Sequence, residues 1–508
     1  MEAAVLAHFL KFAAIMVFFG LVLIPEQESL SQAPAPPDSG ASQNGGPPAQ
    51  QGVSALERGP VHEAFASPTA EAKPSPFVTK KPPANIDEMP PEEKPEGDAV
   101  WIPGYWAWDT ERNDYLWVSG CWRVKPPGKD WVPGYWREEG EQWQWVAGFW
   151  ANAQAAPAAG QTENTTAAGN SVTYYPEPPA PPAVAAPPPA PSADMFYVPG
   201  SWVWYEGRYA WRPGYWQAGR PGYIWVAAHY RWTPYGYVYV SGYWDLAVAS
   251  RGVLYAPVVV DVAVVGPRFV YTPAYAIADG IVLGALFIQP AYCHYYFGNY
   301  YGPAYVSLGF QSCFVYSRTC YEPIVAYQVW TYRNNPGWLN AQINITVARN
   351  NGLAPIPGRE VILRPGREVI VARGQRVVTV PAAARVQAMQ VARASHVAAV
   401  EHRMNAERPV PGRTLTQPRQ ATARVATPSS AHSANTTTSR PNTGQTTSHN
   451  AQGTYKPSPY GSAGKSATSG GFRPGTGPTR PGSPQPGHTP TNSKTPPRRD
   501  SSRKESRP

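Results

Sequence analysis

The residues best suited to chemistry by stacking are tryptophan and tyrosine. They recur two apart: Trp106 and Trp108, Trp143 and Trp145, Trp202 and Trp204, Tyr209 and Trp211, Tyr223 and Trp225. A spacing of two puts both rings on one face of a β-strand. An exposed aromatic face stacks on sugar rings or receives a protein partner. A buried one builds the core of a small β-domain, each aromatic pair adding roughly 0.5–1.5 kcal/mol beyond burial. A strand has two faces, so both roles are compatible. Trp106, Trp108, Trp136, Trp143, Trp202, Trp204 and Trp216 are the candidates for an open binding face.

Signals for catalysis are weak. The chain has no His-Glu-x-x-His, no Gly-x-Ser-x-Gly and no Cys-x-x-Cys. Gly464-Lys465-Ser466 matches the end of a phosphate loop, but Pro459 stands where its first glycine belongs and no strand pattern precedes it. His294 beside Cys293 reads as a packed residue of a Tyr-rich strand rather than a metal ligand. Glu138, Glu139 and Glu141 read as solvated charge in a turn. No catalytic, metal or cofactor site is assigned, and the expectation is a protein that is not an enzyme.

The aromatics sit in hexads. Those beginning at Trp101, Trp117, Trp131 and Trp145 form a first block, and those beginning at Tyr197, Trp211, Trp225 and Tyr239 form a second. Trp131-Val-Pro-Gly-Tyr-Trp136 is the cleanest copy; Trp225 to Tyr230 has Ala228 in place of glycine. Seventeen of the 19 tryptophans fall in these blocks, so the repeats define the protein's chemistry. Turn formers such as Glu139-Gly140-Glu141, Glu206-Gly207-Arg208 and Pro234-Tyr235-Gly236 separate the units. A spacing of about fourteen residues is one strand plus one turn. Each block is therefore expected to be a meander of short antiparallel strands, with a bulge or kink at the hexad glycine.

This pattern resembles the bacterial WXXGXW (YXWGXW) repeat family of exported proteins, some of which are accessory lipoproteins of contact-dependent inhibition systems. The resemblance covers Trp101–Trp150 and Tyr197–Trp244 and implies an exported protein, with no family catalytic residues to carry over. No cysteine lies near the N-terminal apolar run, so lipid attachment there is not expected.

Around the blocks the composition shifts. Sixty prolines and 45 glycines concentrate in 34–98, 151–193 and 409–508, segments too poor in aliphatic residues to offset the entropy of ordering them. The expected organisation is a signal peptide or anchor at 1–33, a Pro-rich disordered linker at 34–98 and repeat block one at 99–150. A Pro/Ala-rich linker at 151–193 and block two at 194–250 follow. Next come an apolar β-rich region at 251–340, continuous with block two, and a Gly-Arg-Glu β-repeat at 341–381. A helix at 382–408 and a basic disordered tail at 409–508 complete it. The Asp279-Gly280 pair between apolar runs predicts a hairpin. The fold class is mainly β: short antiparallel strand repeats, one helix and extensive disorder.

Lys11 followed by the apolar run Phe12–Ile24, with Ser31-Gln32-Ala33 as a small-x-small site, has the layout of a secretory signal. The expected location is the periplasm, cell envelope or exterior, with anchoring by residues 3–24 as the alternative. In such a compartment a disulfide among Cys293, Cys313 and Cys320 is expected, leaving Cys121 odd. The net charge of +9 is carried by the tail, where 14 Lys/Arg face 2 Asp/Glu after Pro409. That tail suits anionic polymers. The functional expectation is a non-catalytic structural or binding protein of the envelope, contacting cell-wall polysaccharide or envelope proteins. The alternative is a polyanion or nucleic-acid binder acting through the tail. A membrane-embedded β-protein ranks lower, because the repeat strands are short and Pro-rich.

Overall fold

The computed structural model describes residues 50–70, 72–153, 170–182, 187–266, 268–278, 284–357, 363–409 and 414–423. The expectations for 1–33, for the Asp279-Gly280 hairpin and for the tail beyond 423 lie outside the described residues. The expected short antiparallel strands are present, and their pairing is nested. In the first block, Val100–Ile102 pairs with Cys121–Arg123 while Tyr105–Asp109 pairs with Asp114–Val118. The register runs unbroken from Val100 opposite Arg123 to Asp109 opposite Asp114. Four strands thus make one long hairpin interrupted in the middle. The same holds for Lys129 to Asn152, Met195 to Ala218 and Tyr223 to Leu246. Among the described residues there are four such hairpins, two in each block.

The nesting explains the hexad. Two hexads face each other, and their first and last aromatics pair across the strands: Trp101 with Trp122 and Trp106 with Trp117, ring centroids 5.3 Å apart in both cases. The equivalent pairs in the other hairpins lie at 5.1–5.5 Å in edge-to-face or tilted geometry, the arrangement that ring quadrupoles favour. The glycine between them is required for space. A Cβ on Gly120 would fall 2.6 Å from Trp101 Cζ2, one on Gly148 2.5 Å from Trp131 Cζ2, and one on Gly242 2.7 Å from Trp225 Cζ2. The first aromatic of each hexad lies over the glycine of the opposed hexad. Ala228 is the exception, and the first aromatic of its facing hexad is Tyr239. The expected bulge is not formed, since the unbroken register leaves no extra residue in either strand.

Turns close the hairpins where the residues allow a left-handed backbone. Glu206 (φ 48°) and Gly207 (φ 76°) make a two-residue turn with both φ values positive, which matches the twist of the flanking strands. The first hairpin uses four residues, Thr110 to Asn113, with Asn113 at φ 50°.

The two blocks pack together. Arg123 of the first hairpin donates to both carboxylate oxygens of Asp245 in the fourth, at 2.6 and 2.7 Å. Arg251 approaches the same carboxylate at 3.1 Å, and all three groups are buried. Around the hairpins, several expectations need correction. Gly252–Leu254 and Val258–Val260 add to the first hairpin rather than the second block, pairing with Cys121–Arg123 and with Trp117. Chain proximity gave no hint of this, because sheet edges accept any strand with the right apolar face. The region 251–340 is also partly helical, with helices at Pro323–Thr331 and Trp338–Asn350 among others. The Gly-Arg-Glu segment is not a run of strands. Gly366–Ala372 is a helix that buries Val369 and Ile370, between the short strands Leu363–Pro365 and Val377–Thr379. The expected helix is Ala382–Ala406.

The linkers differ most from expectation. Between 50 and 98 the chain contributes Val53–Ala55, Gly59–Pro60, Phe77–Val78, Asp87–Glu88 and Glu93–Pro95. Each pairs with a strand remote in sequence. Val61, His62, Glu63, Ala64 and Phe65 are fully buried there. In the second linker, Asn170–Tyr175 lies between Gly236–Val240 and Arg419–Ala423, the latter within the expected disordered tail. These segments take their partners from the hairpins and from the chain after residue 251, so their own composition does not reveal that they pack. Among the described residues no helix is long and apolar enough to cross a membrane.

Candidate functional site

Breaking a β-ladder leaves backbone groups that must find partners elsewhere. In the first hairpin the N–H groups of Gly104 and Gly120 donate to the Glu88 carboxylate at 2.7 and 2.9 Å. Trp117 Nε1 donates to the same carboxylate at 3.3 Å, and His62 Nε2 lies 3.0 Å from the Pro103 carbonyl. In the second hairpin Gly148 N–H and Trp145 Nε1 donate to Glu63 at 2.8 and 2.9 Å. On the same break, Arg403 Nη1 donates to the carbonyls of Pro133 and Ala147, both at 2.8 Å. These buried polar side chains complete the hairpins. Burial pushes the Glu88 carboxyl up to about 7, against the opposing pull of its three hydrogen bonds. Burial likewise holds His62 and His396 down to about 4.

His294 lies 3.2 Å from Glu63 and 3.2 Å from Tyr105 Oη, inside the aromatic core. Among the described residues no cluster of His, Cys, Asp and Glu could hold a metal ion. Glu139 pairs with Arg137 at 2.7 Å near the tip of the second hairpin. The expected disulfide is absent: Cys293, Cys313 and Cys320, with Cys121, are thiols. Cys313 opens a helix inside the core, Cys293 Sγ accepts from Arg231, and Cys320 is exposed. Their elements hold them to separate partners. Gly464-Lys465-Ser466 lies outside the described residues.

The expected aromatic face splits into two populations. Trp106 is buried, at 2% exposure, and is corrected to a core residue. Trp108, Trp136 and Trp143 pack against the same cluster, with Tyr115, Trp117, Val258 and Tyr271. Their strands are covered by the 77–86 segment and by the region after residue 251, whose docking places the hexads do not encode. Trp202, Trp204 and Trp216 remain partly exposed on the third hairpin and belong to no core cluster among the described residues. Tyr205 near its tip is 62% exposed.

The first and third hairpins also share a feature that the hexads do not predict. In the first, Trp106 Nε1 donates to the Ala84 carbonyl at 3.0 Å and Tyr115 Oη to the Lys80 carbonyl at 2.6 Å. In the third, Trp202 Nε1 donates to Ala180 at 3.3 Å and Tyr209 Oη to Pro176 at 2.5 Å. The donors occupy equivalent register positions, because Trp108 pairs with Tyr115 as Trp204 pairs with Tyr209. The acceptors lie in Lys80-Lys81-Pro82-Pro83-Ala84 and in Pro176-Glu177-Pro178-Pro179-Ala180. The signal available in sequence was the recurrence of Pro-Pro-Ala seventeen residues before the first hexad of each block.

Fold and site define a repeat protein whose unit is a glycine-broken aromatic hairpin. Its repeats match the family model for the WXXGXW repeat (2 copies) at residues 100–123, 131–151, 194–217 and 220–244. Each matched segment coincides with one hairpin, that is, with two opposed hexads. No curated protein and no solved structure matches the chain.

Proposed function

We propose that this protein is an exported, non-catalytic scaffold of the cell envelope, using the aromatic hairpins of its second block to bind cell-wall polysaccharide or an envelope protein. The observation that carries this reading is one motif in two burial states. Trp106, Trp117 and Trp122 are core residues of the first hairpin, while Trp202, Trp211 and Trp216 at the same positions of the third are partly open to solvent. A repeat needed only for packing would be buried in both copies. The N-terminal Lys11 and Phe12–Ile24 pattern supports export.

The test is co-sedimentation of the full chain with insoluble cell-wall polysaccharide at low and high salt. The expected result is pelleting that survives high salt and weakens when Tyr205 is replaced by alanine. A second reading rests on the 14 Lys/Arg and 2 Asp/Glu that follow Pro409: the tail binds anionic polymer. That mode loses affinity steeply as salt rises. Pelleting abolished by salt favours the tail, and no pelleting by folded protein removes polysaccharide as the ligand.

A further inference from the structure

We propose that the third hairpin is a peptide-binding site that reads proline-rich chain in the register x-x-Pro-Pro-Ala. Trp202 and Tyr209 are its two donors, and Pro176–Ala180 is its resident ligand, held in cis. The inference stands beside the polysaccharide reading and does not depend on it.

The argument begins with two independent copies of the same recognition. Trp106 and Tyr115 take the carbonyls of Ala84 and Lys80, and Trp202 and Tyr209 take those of Ala180 and Pro176. In both, the indole receives the fifth residue and the phenol the first. The first two residues differ completely, Lys80-Lys81 against Pro176-Glu177, whereas Pro-Pro-Ala is shared. What the two sites have in common is therefore what they read.

Proline suits this role physically. Its ring fixes φ, and it pushes the residue before it into the extended region. Consecutive prolines thus pre-form an extended left-handed strand at little entropic cost, with carbonyls free to accept because proline has no N–H. Aromatic grooves with an indole or phenol donor are a general way of binding such strands.

The two copies differ in how firmly the ligand is held. In the first, the donors Trp106 and Tyr115 are 2% and 5% exposed, and the strand continues at once into buried Glu88. That strap is locked. In the third, the donors are partly exposed, and Glu177, Pro179, Ala180, Pro181 and Pro182 of the strap are exposed. The second strap can therefore exchange with proline-rich chain supplied in trans. While it stays tethered, its high effective concentration outcompetes a free peptide.

The experiment uses fluorescence anisotropy of a labelled Pro-Glu-Pro-Pro-Ala-Pro-Pro peptide with three forms of the full chain. The native protein is expected to bind weakly. A chain carrying Pro178→Gly and Pro179→Gly, which releases the strap, is expected to bind about tenfold or more tightly. Adding Trp202→Phe and Tyr209→Phe, which keep the rings and remove both donors, is expected to abolish that gain. The inference is overturned if the strap-released protein, with an unchanged thermal midpoint, binds no better than native. It is equally overturned if a peptide with both central prolines replaced by glycine binds as well. Should strap release unfold the hairpin, the native chain decides. Trp202→Phe with Tyr209→Phe in the otherwise native chain must weaken its peptide binding several-fold at an unchanged thermal midpoint, and unchanged binding overturns the inference. Failure here leaves Tyr205-dependent polysaccharide pelleting untouched, so the two readings fail separately.

Discussion

Replacing Gly148 with alanine tests the reason the hexad has a glycine at all. An added Cβ would lie 2.5 Å from Trp131 Cζ2 and 2.8 Å from the Val132 carbonyl oxygen. Ordinary contact is about 3.5–4.0 Å, so the neighbours must retreat by roughly 1 Å. Trp131 cannot swing away: it is 2% exposed and its ring packs on Trp150 at 5.3 Å, which in turn carries the Arg123 guanidinium at 5.4 Å. The second neighbour is backbone, held by the pairing of Val132 with Phe149. Overpacking of a buried site costs about 1–3 kcal/mol, and a backbone clash places this one at the upper end. A domain of 150–250 residues loses about 2–4 °C in thermal midpoint per kcal/mol, so a fall of several degrees is expected by fluorescence or calorimetry. Gly200→Ala meets Trp211 Cζ2 at 2.5 Å as well. It also meets the Arg212 carbonyl oxygen at 2.7 Å. Trp211 is only partly buried and can yield but the backbone cannot, so a loss of about 1–2 kcal/mol, smaller than at Gly148, is expected there. Gly266→Ala, with no atom within 4 Å, is the neutral control. If Gly148→Ala melts with the control, or Gly200→Ala is as damaging as Gly148→Ala, the space argument is wrong.

Three further outcomes follow from the buried charges. Arg403→Met removes the Nη1 donor to both carbonyls of the second hairpin's break and strands the Glu407 carboxylate between Tyr135 and Tyr174. A loss of about 3–5 kcal/mol is expected in denaturant melts, and a loss under about 1 kcal/mol would show the break satisfied by other means. Asp245→Asn leaves Arg123 and Arg251 buried against each other; hydrogen exchange should then speed up in the first and fourth hairpins together, and exchange confined to one would refute their coupling. Glu88→Gln isolates a pH effect. With its carboxyl raised from the ordinary 4.5 to about 7, the folded form holds this proton more tightly than the unfolded chain does. The group's contribution to stability is therefore fully present below about pH 4.5 and is lost as pH rises to 7, by roughly 3 kcal/mol. His62 and His396, held down to about 4, act oppositely in the overlapping window, so the readout is the difference between variant and native. The melting midpoint of Glu88→Gln relative to native should climb from pH 4.5 to 7, and a flat difference would contradict the assignment.

Much of the fold was legible where one residue type carries one physical demand. The aromatic doublets gave strand faces, the turn formers gave hairpin tips, and the alanine-rich stretch from Ala382 gave its helix. The nested pairing was not legible, because a spacing of fourteen fits a meander and a folded hairpin equally well. Only the ring-over-glycine contact distinguishes them. Burial of Glu63 and Glu88 was hidden because their partners are backbone N–H groups of glycine, which leave no mark in composition. The Gly366–Ala372 helix was misread because Val369, Ile370 and Val371 favour strands locally, while its first two bury against the core. In the candidate face, Trp202, Trp204 and Trp216 were separable from Trp106 only by knowing which hairpin the later chain covers.

The opposed-hexad arrangement constrains how such a chain can lengthen or shorten. A hexad carries half of two contacts, its first ring lying over another's glycine and its own glycine receiving another's ring. Inserting or deleting a single hexad would leave one ring without a seat and shift the pairing of everything downstream to the wrong partner. Copy number in this architecture is therefore even, and the unit of duplication is the whole hairpin. Variation in this protein is to be traced across the ladder and counted in pairs.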